Sequence, residues 1–167
     1  MPVELVNEGT EGEYEILSVA PGVMETVKLS GVSGYGEYTD DLGYRISRFV
    51  FDGTDLGDQS LPLEANPREP GQSTPVKKMR LTLEEEPSKF HLFNNGMTLF
   101  ATRCEPIIDD DGRVTHVILG FDKEDQGICN GGHTYYACKR AFSEATIGGD
   151  FSINAEVIVL PRDYDPE

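Results

Sequence analysis

The sequence predicts an α+β domain in which a mixed, mostly antiparallel sheet carries one principal helix that follows a glycine-rich turn. Segments with period-two or β-branched patterns recur between glycine and proline breaks along most of the chain. One later segment, starting at His133, places apolar residues at helical spacing. The length of 167 residues fits one domain with a substantial core, so residues 1–167 form a single unit that could be the N-terminal part of a longer protein.

The first half of the chain is predicted to be rich in strands. Residues 14–20, 25–32 and 44–53 show alternating or β-branched patterns. Residues 52–75 are rich in Gly, Pro, Asp and Ser and have too little apolar surface to order strongly. They predict a long flexible loop, which is either a loose surface loop or a lid or arm that reaches toward a partner.

A β-hairpin is predicted around residues 109–112. The stretches "MTLFATRCEPII" and "RVTHVILGF" flank three aspartates and a glycine, which are residues that tolerate turn geometry. The aspartates lack the alternating ligand positions and the closing glutamate of a calcium loop, so they indicate a turn. Before this hairpin, "KKMRLTLEEEPSKF" shows a short apolar alternation that ends at a proline, with its glutamates in a solvated loop or at a helix start.

The principal helix is predicted from His133 to the Gly148-Gly149 pair. Its apolar stripe is formed by residues at positions i, i+3, i+4 and i+7, namely Cys138, Ala141, Phe142 and Ala145. A closing strand follows, in which alternate residues share one face: Phe151, Ile153, Ala155, Val157 and Val159. The order strand, glycine-rich turn, helix, strand places residues 130–134 at a helix N-terminus.

Charge and cysteine content narrow the classes of function. The chain has 30 acidic and 14 basic residues and a net charge of −16, which disfavours non-specific coating of nucleic acid and requires any nucleic-acid site to be local. This acidity fits either a salt-rich cytoplasm or a basic protein partner. The 3 cysteines lack CxxC spacing, which indicates a reducing compartment. We expect a cytoplasmic protein without a membrane partner, because no long apolar run or leader pattern occurs.

Two Asn-Gly corners are the candidate functional motifs. The second corner is Asn130, Gly131, Gly132, His133 and Thr134. A helix N-terminus presents free backbone N–H groups and the positive end of the helix dipole, and glycines before it let an anion approach. This corner is therefore a candidate phosphate site. The alternative is that its glycines only permit a tight turn and that Thr134 caps the helix.

The first corner, Asn94, Asn95 and Gly96, lies between apolar residues. It is either a structural turn or a pair of amides that contacts a base, a ribose or a phosphate. The basic cluster Lys77, Lys78 and Arg80 could complement a phosphate held at the second corner if the fold brings them together.

The histidines and Cys129 are weaker candidates for a functional site than the two corners. His91, His116 and His133 have no metal-ligand spacing, so no metal site is predicted. Cys129 directly precedes the second corner and is either a thiolate nucleophile at a helix N-terminus or an inert buried cysteine. No catalytic residue is assigned.

The two corners together resemble the abortive infection phage resistance (AIPR) family. The run "FHLFNNGMTLFA" is similar to a family motif that pairs a phenylalanine with NNG and a hydrophobic run, and "ICNGGHTYYA" is similar to its NG-containing motif. Lys77, Met79 and Arg80 resemble the lead-in to these motifs. The resemblance covers roughly residues 76–142 and implies a bacterial or archaeal defence protein.

A more distant similarity connects the second corner to ParB-like and sulfiredoxin-like domains, in which a comparable turn binds nucleotide phosphates. The chain departs from them at Thr134, where those families place arginine.

Three functions follow as hypotheses. The leading one is a phage-defence module that binds a phosphate-bearing ligand, such as a nucleotide or a nucleic-acid end, through both corners. The second is a phosphotransfer or hydrolysis enzyme acting on nucleotides or nucleic acid, which alone would require magnesium. The third is an acidic protein-interaction module.

Overall fold

The structure is a computed structural model that describes residues 25–63, 74–122 and 126–160. Within those residues, eight strands form two sheets, with strand orders β2-β3-β8-β4-β7 and β1-β6-β5. The strands are β1 (Glu25–Leu29), β2 (Ser33–Thr39), β3 (Arg45–Asp52), β4 (Met97–Ala101), β5 (Arg103–Ile108), β6 (Val114–Phe121), β7 (Gly127–Asn130) and β8 (Ser152–Val159). The helices are α1 (Thr74–Glu85), α2 (Phe90–Phe93) and α3 (Gly132–Ser143), with 3-10 turns at Gly53–Gly57 and Pro87–Lys89. The predicted α+β class is confirmed.

The predicted hairpin is confirmed between β5 and β6. These strands pair antiparallel, and the turn closes with a 2.9 Å hydrogen bond from Asp109 N to Arg113 O. The Asp109 side chain accepts bonds from two backbone N–H groups of the turn, and Gly112 adopts a φ of +80°. The turn therefore uses its first aspartate and its glycine in the way that turn chemistry requires.

The other predicted strands are placed as follows. Residues 25–32 contain β1 and residues 44–53 contain β3. The strand predicted over residues 14–20 lies outside the described residues. Strand β2 was not predicted, because "SGYGEYT" has no apolar alternation and forms an exposed edge.

Strand β8 organises the five-stranded sheet. It pairs antiparallel with β3 and parallel with β4, and β4 pairs antiparallel with β7. Ile153, Ala155 and Val157 lie on its buried face, as the alternation predicted. This face belongs to one core that also includes large buried side chains of both sheets and α3, among them Phe51, Leu99, Leu119, Tyr135 and Cys138.

Helix α1 was not predicted, so the domain contains two 12-residue helices where the sequence indicated one principal helix. Only Val76 and Leu83 of α1 are buried, and a stripe this narrow is hard to recognise among charged residues. The helix packs on the C-terminal end of α3. Arg80 forms an ion pair with Glu144, and Gly148 N donates a 2.9 Å hydrogen bond to Leu83 O.

The first part of the predicted loop over residues 52–75 has regular structure. The Gly53–Gly57 turn is capped by Asp52, which accepts a 3.0 Å bond from Thr54 N. Lys139 Nζ donates to Leu56 O at 2.7 Å and to Gln59 O at 3.2 Å, and Leu56 is fully buried. Residues 64–73 lie outside the described residues, and residues 74–75 belong to α1. In the part of the chain that is described, no helix is long and apolar enough to span a membrane.

Candidate functional site

The two corners lie side by side at one end of the five-stranded sheet. The first corner leads into β4 and the second follows β7, and these strands are antiparallel neighbours in which Thr98 pairs with Asn130. The start of one strand therefore meets the end of the other. A 3.0 Å hydrogen bond from Thr134 Oγ1 to Asn94 Oδ1 connects the corners directly.

Asn94 and Asn154 fix the shape of the first corner. Asn94 Oδ1 also accepts a 2.8 Å bond from Gly96 N, which is the short-range contact expected of asparagine in a turn. Asn154 Nδ2, on β8, donates to His91 O at 2.8 Å and to Asn94 O at 3.0 Å. Asn154 was not among the site residues predicted from the sequence. The one hint in the sequence is that Asn154 is a polar residue that alternates with the buried apolar residues of β8.

The glycines Gly96 and Gly131 allow the two corners to approach closely. Their φ angles are +82° and +93°, in the left-handed region that favours glycine. A Cβ at Gly96 would lie 1.9 Å from Asn154 O, and one at Gly131 would lie 2.4 Å from Gly96 O. The space beside these two glycines is therefore filled by protein backbone. A ligand would have to use other groups of the corners.

The N-terminus of α3 contains further backbone N–H groups beside the second corner. Gly131 occupies the N-cap position and has no side chain that could cap the first N–H groups of the helix. Thr134 is 3% exposed and its hydroxyl is committed to Asn94, whereas the half-buried His133 has a buried Nδ1 without a hydrogen-bond partner in the described part of the chain. A buried nitrogen in this state calls for a water molecule or a ligand group.

A cleft of about 350 Å³ adjoins the first corner on the outer face of the five-stranded sheet. Asn95 and Thr98 line its near side, and Arg48 and Glu156 line its far side. Arg48 Nε and Glu156 Oε2 form an ion pair at 2.6 Å. Asn95 and Asn130 are exposed, so the amide groups of both corners are accessible to a ligand.

Arg80 of the basic cluster does not lie beside the second corner. Arg80 contacts Glu144, which follows the last residue of α3, whereas the second corner lies at the first residues of that helix. The rise of the helix separates these ends by roughly 15 Å or more. Lys77 and Lys78 are exposed on α1. The structure therefore places Arg80 away from the candidate phosphate site.

The cysteines favour the thiol form. Burial raises the pKa of the Cys129 thiol, which donates a 3.3 Å hydrogen bond to Thr98 O. Burial likewise raises the pKa of Cys104 to about 11 and raises that of Cys138. Cys129 thus lacks the lowered pKa of a thiolate nucleophile.

Across residues 25–63, 74–122 and 126–160, no group of three or more His, Cys, Asp or Glu side chains could hold a metal ion. His116 Nδ1 lies 2.9 Å from Thr115 Oγ1 on β6, in the other sheet from both corners.

Comparison with known proteins identifies the family. The family model described as "AIPR protein" matches residues 63–166, a span that includes both corners, α1, α3 and the strands β4 to β8. Searches of curated proteins and of solved structures found no match. Because the family model covers more than half of the chain, this protein belongs to the AIPR family and so to a family associated with abortive infection and phage defence.

Proposed function

We propose that this AIPR-family chain is a phage-defence module that binds a phosphate-bearing ligand, such as a nucleotide or a nucleic-acid end, at the paired corners. The observation that carries the proposal is the direct contact of the two corners through Thr134 and Asn94 at the start of α3. Two motifs that are far apart in sequence thereby contribute to one surface.

The chemistry of this surface suits an anion. The uncapped N-terminus of α3 offers backbone donors and a partial positive charge, which phosphate binds favourably. The exposed amides of Asn95 and Asn130 can donate further hydrogen bonds, and the buried Nδ1 of His133 lacks a partner within the described residues. These donors are confined to a small part of the surface. A chain with a net charge of −16 repels anions over most of its surface, so any anion site must be local in this way.

Calorimetry and thermal-shift measurements with pyrophosphate, ATP, CTP, GTP, UTP and short oligonucleotides test the proposal. The informative variant is the double substitution Asn95→Asp with Asn130→Asp, which adds two negative charges at exposed positions. We expect it to weaken binding at least tenfold through repulsion of the phosphate. Leu42→Asp is the control, because Leu42 is 81% exposed at the β2–β3 turn, at the opposite end of the sheet.

The proposal fails if the unaltered protein binds none of these compounds. It also fails if the double variant binds them as tightly as the Leu42→Asp control does.

A further inference from the structure

The cleft beside the first corner contains a carboxylate group, whereas the corners themselves contain amide and backbone N–H groups. Its far side contains Glu156, and the side chain of Glu156 is 30% exposed. Glu156 Oε2 accepts from Arg48 Nε, whereas Oε1 has no hydrogen-bond partner among the described residues. A carboxylate oxygen with spare acceptor capacity repels phosphate and attracts a neutral donor such as a hydroxyl group.

The sheet register connects this carboxylate to the phosphate site. Asn130 pairs with Thr98, Thr98 pairs with Glu156, and Glu156 pairs with Arg48. Paired residues of neighbouring strands share one face, so Arg48, Glu156 and Thr98 form a lateral polar row across the outer face of the sheet. Asn130 stands opposite Thr98 at an irregularity in the register between β4 and β7. Asn130 and Glu156 lie two strand spacings apart, which is roughly 10 Å. This distance has the scale of a single nucleotide.

The ion pair positions Glu156 within the row. The Arg48 guanidinium lies over the Tyr38 ring, 5.4 Å from its centroid, and this contact supports the arginine from β2. Arg48 in turn holds one carboxylate oxygen, so the orientation of the other is constrained. The cleft volume of about 350 Å³ is at the small end of the range for small-molecule pockets, which suits one nucleoside.

We infer that the ligand is a single ribonucleoside phosphate, with its phosphates at the N-terminus of α3 and its ribose hydroxyls donating hydrogen bonds to Glu156 across the cleft. The inference rests on the proposed phosphate-binding function and extends it to the sugar. An acidic residue that binds ribose hydroxyls beside a helix N-terminus that binds phosphates is a combination that nucleotide-binding sites use. Thr98, between the two ends, provides a hydroxyl for the sugar or the α-phosphate.

The test compares ligands with and without the sugar in calorimetric titrations of the whole chain. The probes are pyrophosphate, the four ribonucleoside triphosphates and their 2′,3′-dideoxy analogues. We expect the best ribonucleotide to bind at least tenfold more tightly than its dideoxy analogue. Glu156→Gln keeps the shape of the side chain but weakens acceptance, so it should weaken ribonucleotide binding about tenfold and leave pyrophosphate binding unchanged within twofold.

Two further variants complete the test, one as a control for the loss of a surface carboxylate and one as a second probe of the sugar contact. Glu105→Gln removes an equivalent carboxylate from the exposed Arg103–Glu105 pair, which is joined at 2.7 Å in the other sheet, and should leave all affinities unchanged. Thr98→Val keeps a β-branched side chain in β4 while removing the hydroxyl. It should weaken ribonucleotide binding and spare pyrophosphate.

The outcomes separate the two levels of the proposal. If pyrophosphate and ribonucleotides bind the unaltered protein but Glu156→Gln leaves ribonucleotide affinity the same or raises it, the ribose assignment is overturned and phosphate binding stands. Equal affinity for ribonucleotides and dideoxy analogues overturns the ribose assignment as well. If no phosphate compound binds at all, phosphate binding fails and the ribose assignment fails with it.

Discussion

Thr134 Oγ1 donates a 3.0 Å hydrogen bond to Asn94 Oδ1 and so joins two glycine-containing corners that are 40 residues apart in sequence. The bond links the first turn of α3 to the segment that enters β4. It makes the relative position of the two corners a property of the folded core, because Thr134 is 3% exposed. A site whose parts are already held together by such a bond costs less to order when a ligand binds.

The Thr134–Asn94 bond should contribute measurably to stability. Thr134→Val has nearly the same shape but cannot donate, so we expect the free energy of unfolding to fall by about 1 kcal/mol. Asn94 Oδ1 keeps its bond from Gly96 N, which limits the loss. Urea denaturation measures the change, with the exposed Thr39→Val in β2 as control. A change no larger than that of the control would show that the bond does not stabilise the fold.

The close approach of the two corners should make Gly131 far less tolerant of substitution than a glycine in an open turn. Gly131→Ala adds a Cβ 2.4 Å from Gly96 O, whereas Gly112, with a similar φ of +80°, has nothing within 4 Å of its Cβ position. We expect Gly112→Ala to cost about 1 to 2 kcal/mol from backbone strain alone, and Gly131→Ala about 3 kcal/mol or more. Denaturation of both variants measures the difference. Equal costs would contradict the packing described for the corners.

Lys139 should hold the Gly53–Gly57 turn against α3. Its ammonium group donates to Leu56 O and Gln59 O, and burial lowers its pKa. Lys139→Met removes both donors and should accelerate hydrogen exchange in residues 53–61, with a loss of about 1 to 3 kcal/mol of stability.

The control for this prediction is Lys89→Met. Lys89 lies 3.3 Å from Glu86 in an exposed pair, so its loss should cost less than about 1 kcal/mol. Unchanged exchange in residues 53–61 of the Lys139 variant would show that the turn is ordered by other contacts.

The buried thiols should make the protein less stable in alkali. Burial raises the pKa of Cys104 from 9.0 to about 11. Between these values the unfolded chain loses the thiol proton while the folded chain keeps it. The stabilisation is therefore complete below pH 9 and is lost as the pH rises toward 11.

Denaturation at a series of pH values measures this effect. We expect Cys104 to account for up to roughly 2 to 3 kcal/mol of the alkaline loss. Cys104→Ala should flatten the pH dependence in that window, although it lowers stability at every pH by removing a buried side chain. An unchanged slope in the variant would contradict the assignment to Cys104.

Local patterns predicted much of the fold. The alternation in β8, the turn at residues 109–112 and the glycine-rich start of α3 were all identified from neighbouring residues, because each depends on short-range chemistry. Helix α1 and strand β2 were missed. The helix buries only Val76 and Leu83, and the strand is an exposed edge, so neither has a strong hydrophobic period.

The candidate site was predicted in part. The residues of both corners were named from turn chemistry and helix-terminus chemistry, and the structure brings the corners together. Asn154, Glu156 and Arg48 were not predicted, since their positions beside the corners depend on the register of β3, β8 and β4. The proposed partnership of Arg80 with the second corner was not realised, because its guanidinium contacts Glu144 at the far end of α3.

The amino-acid sequence by itself determined the α+β class, the two Asn-Gly corners and the resemblance to the AIPR family, because each is encoded in residues close together along the chain. The tertiary structure alone decided that the corners share one surface, that Gly96 and Gly131 serve backbone packing, and that a cleft lies beside them. These features arise from pairing between strands that are distant in sequence, and residue patterns within each strand do not specify which strand becomes its neighbour.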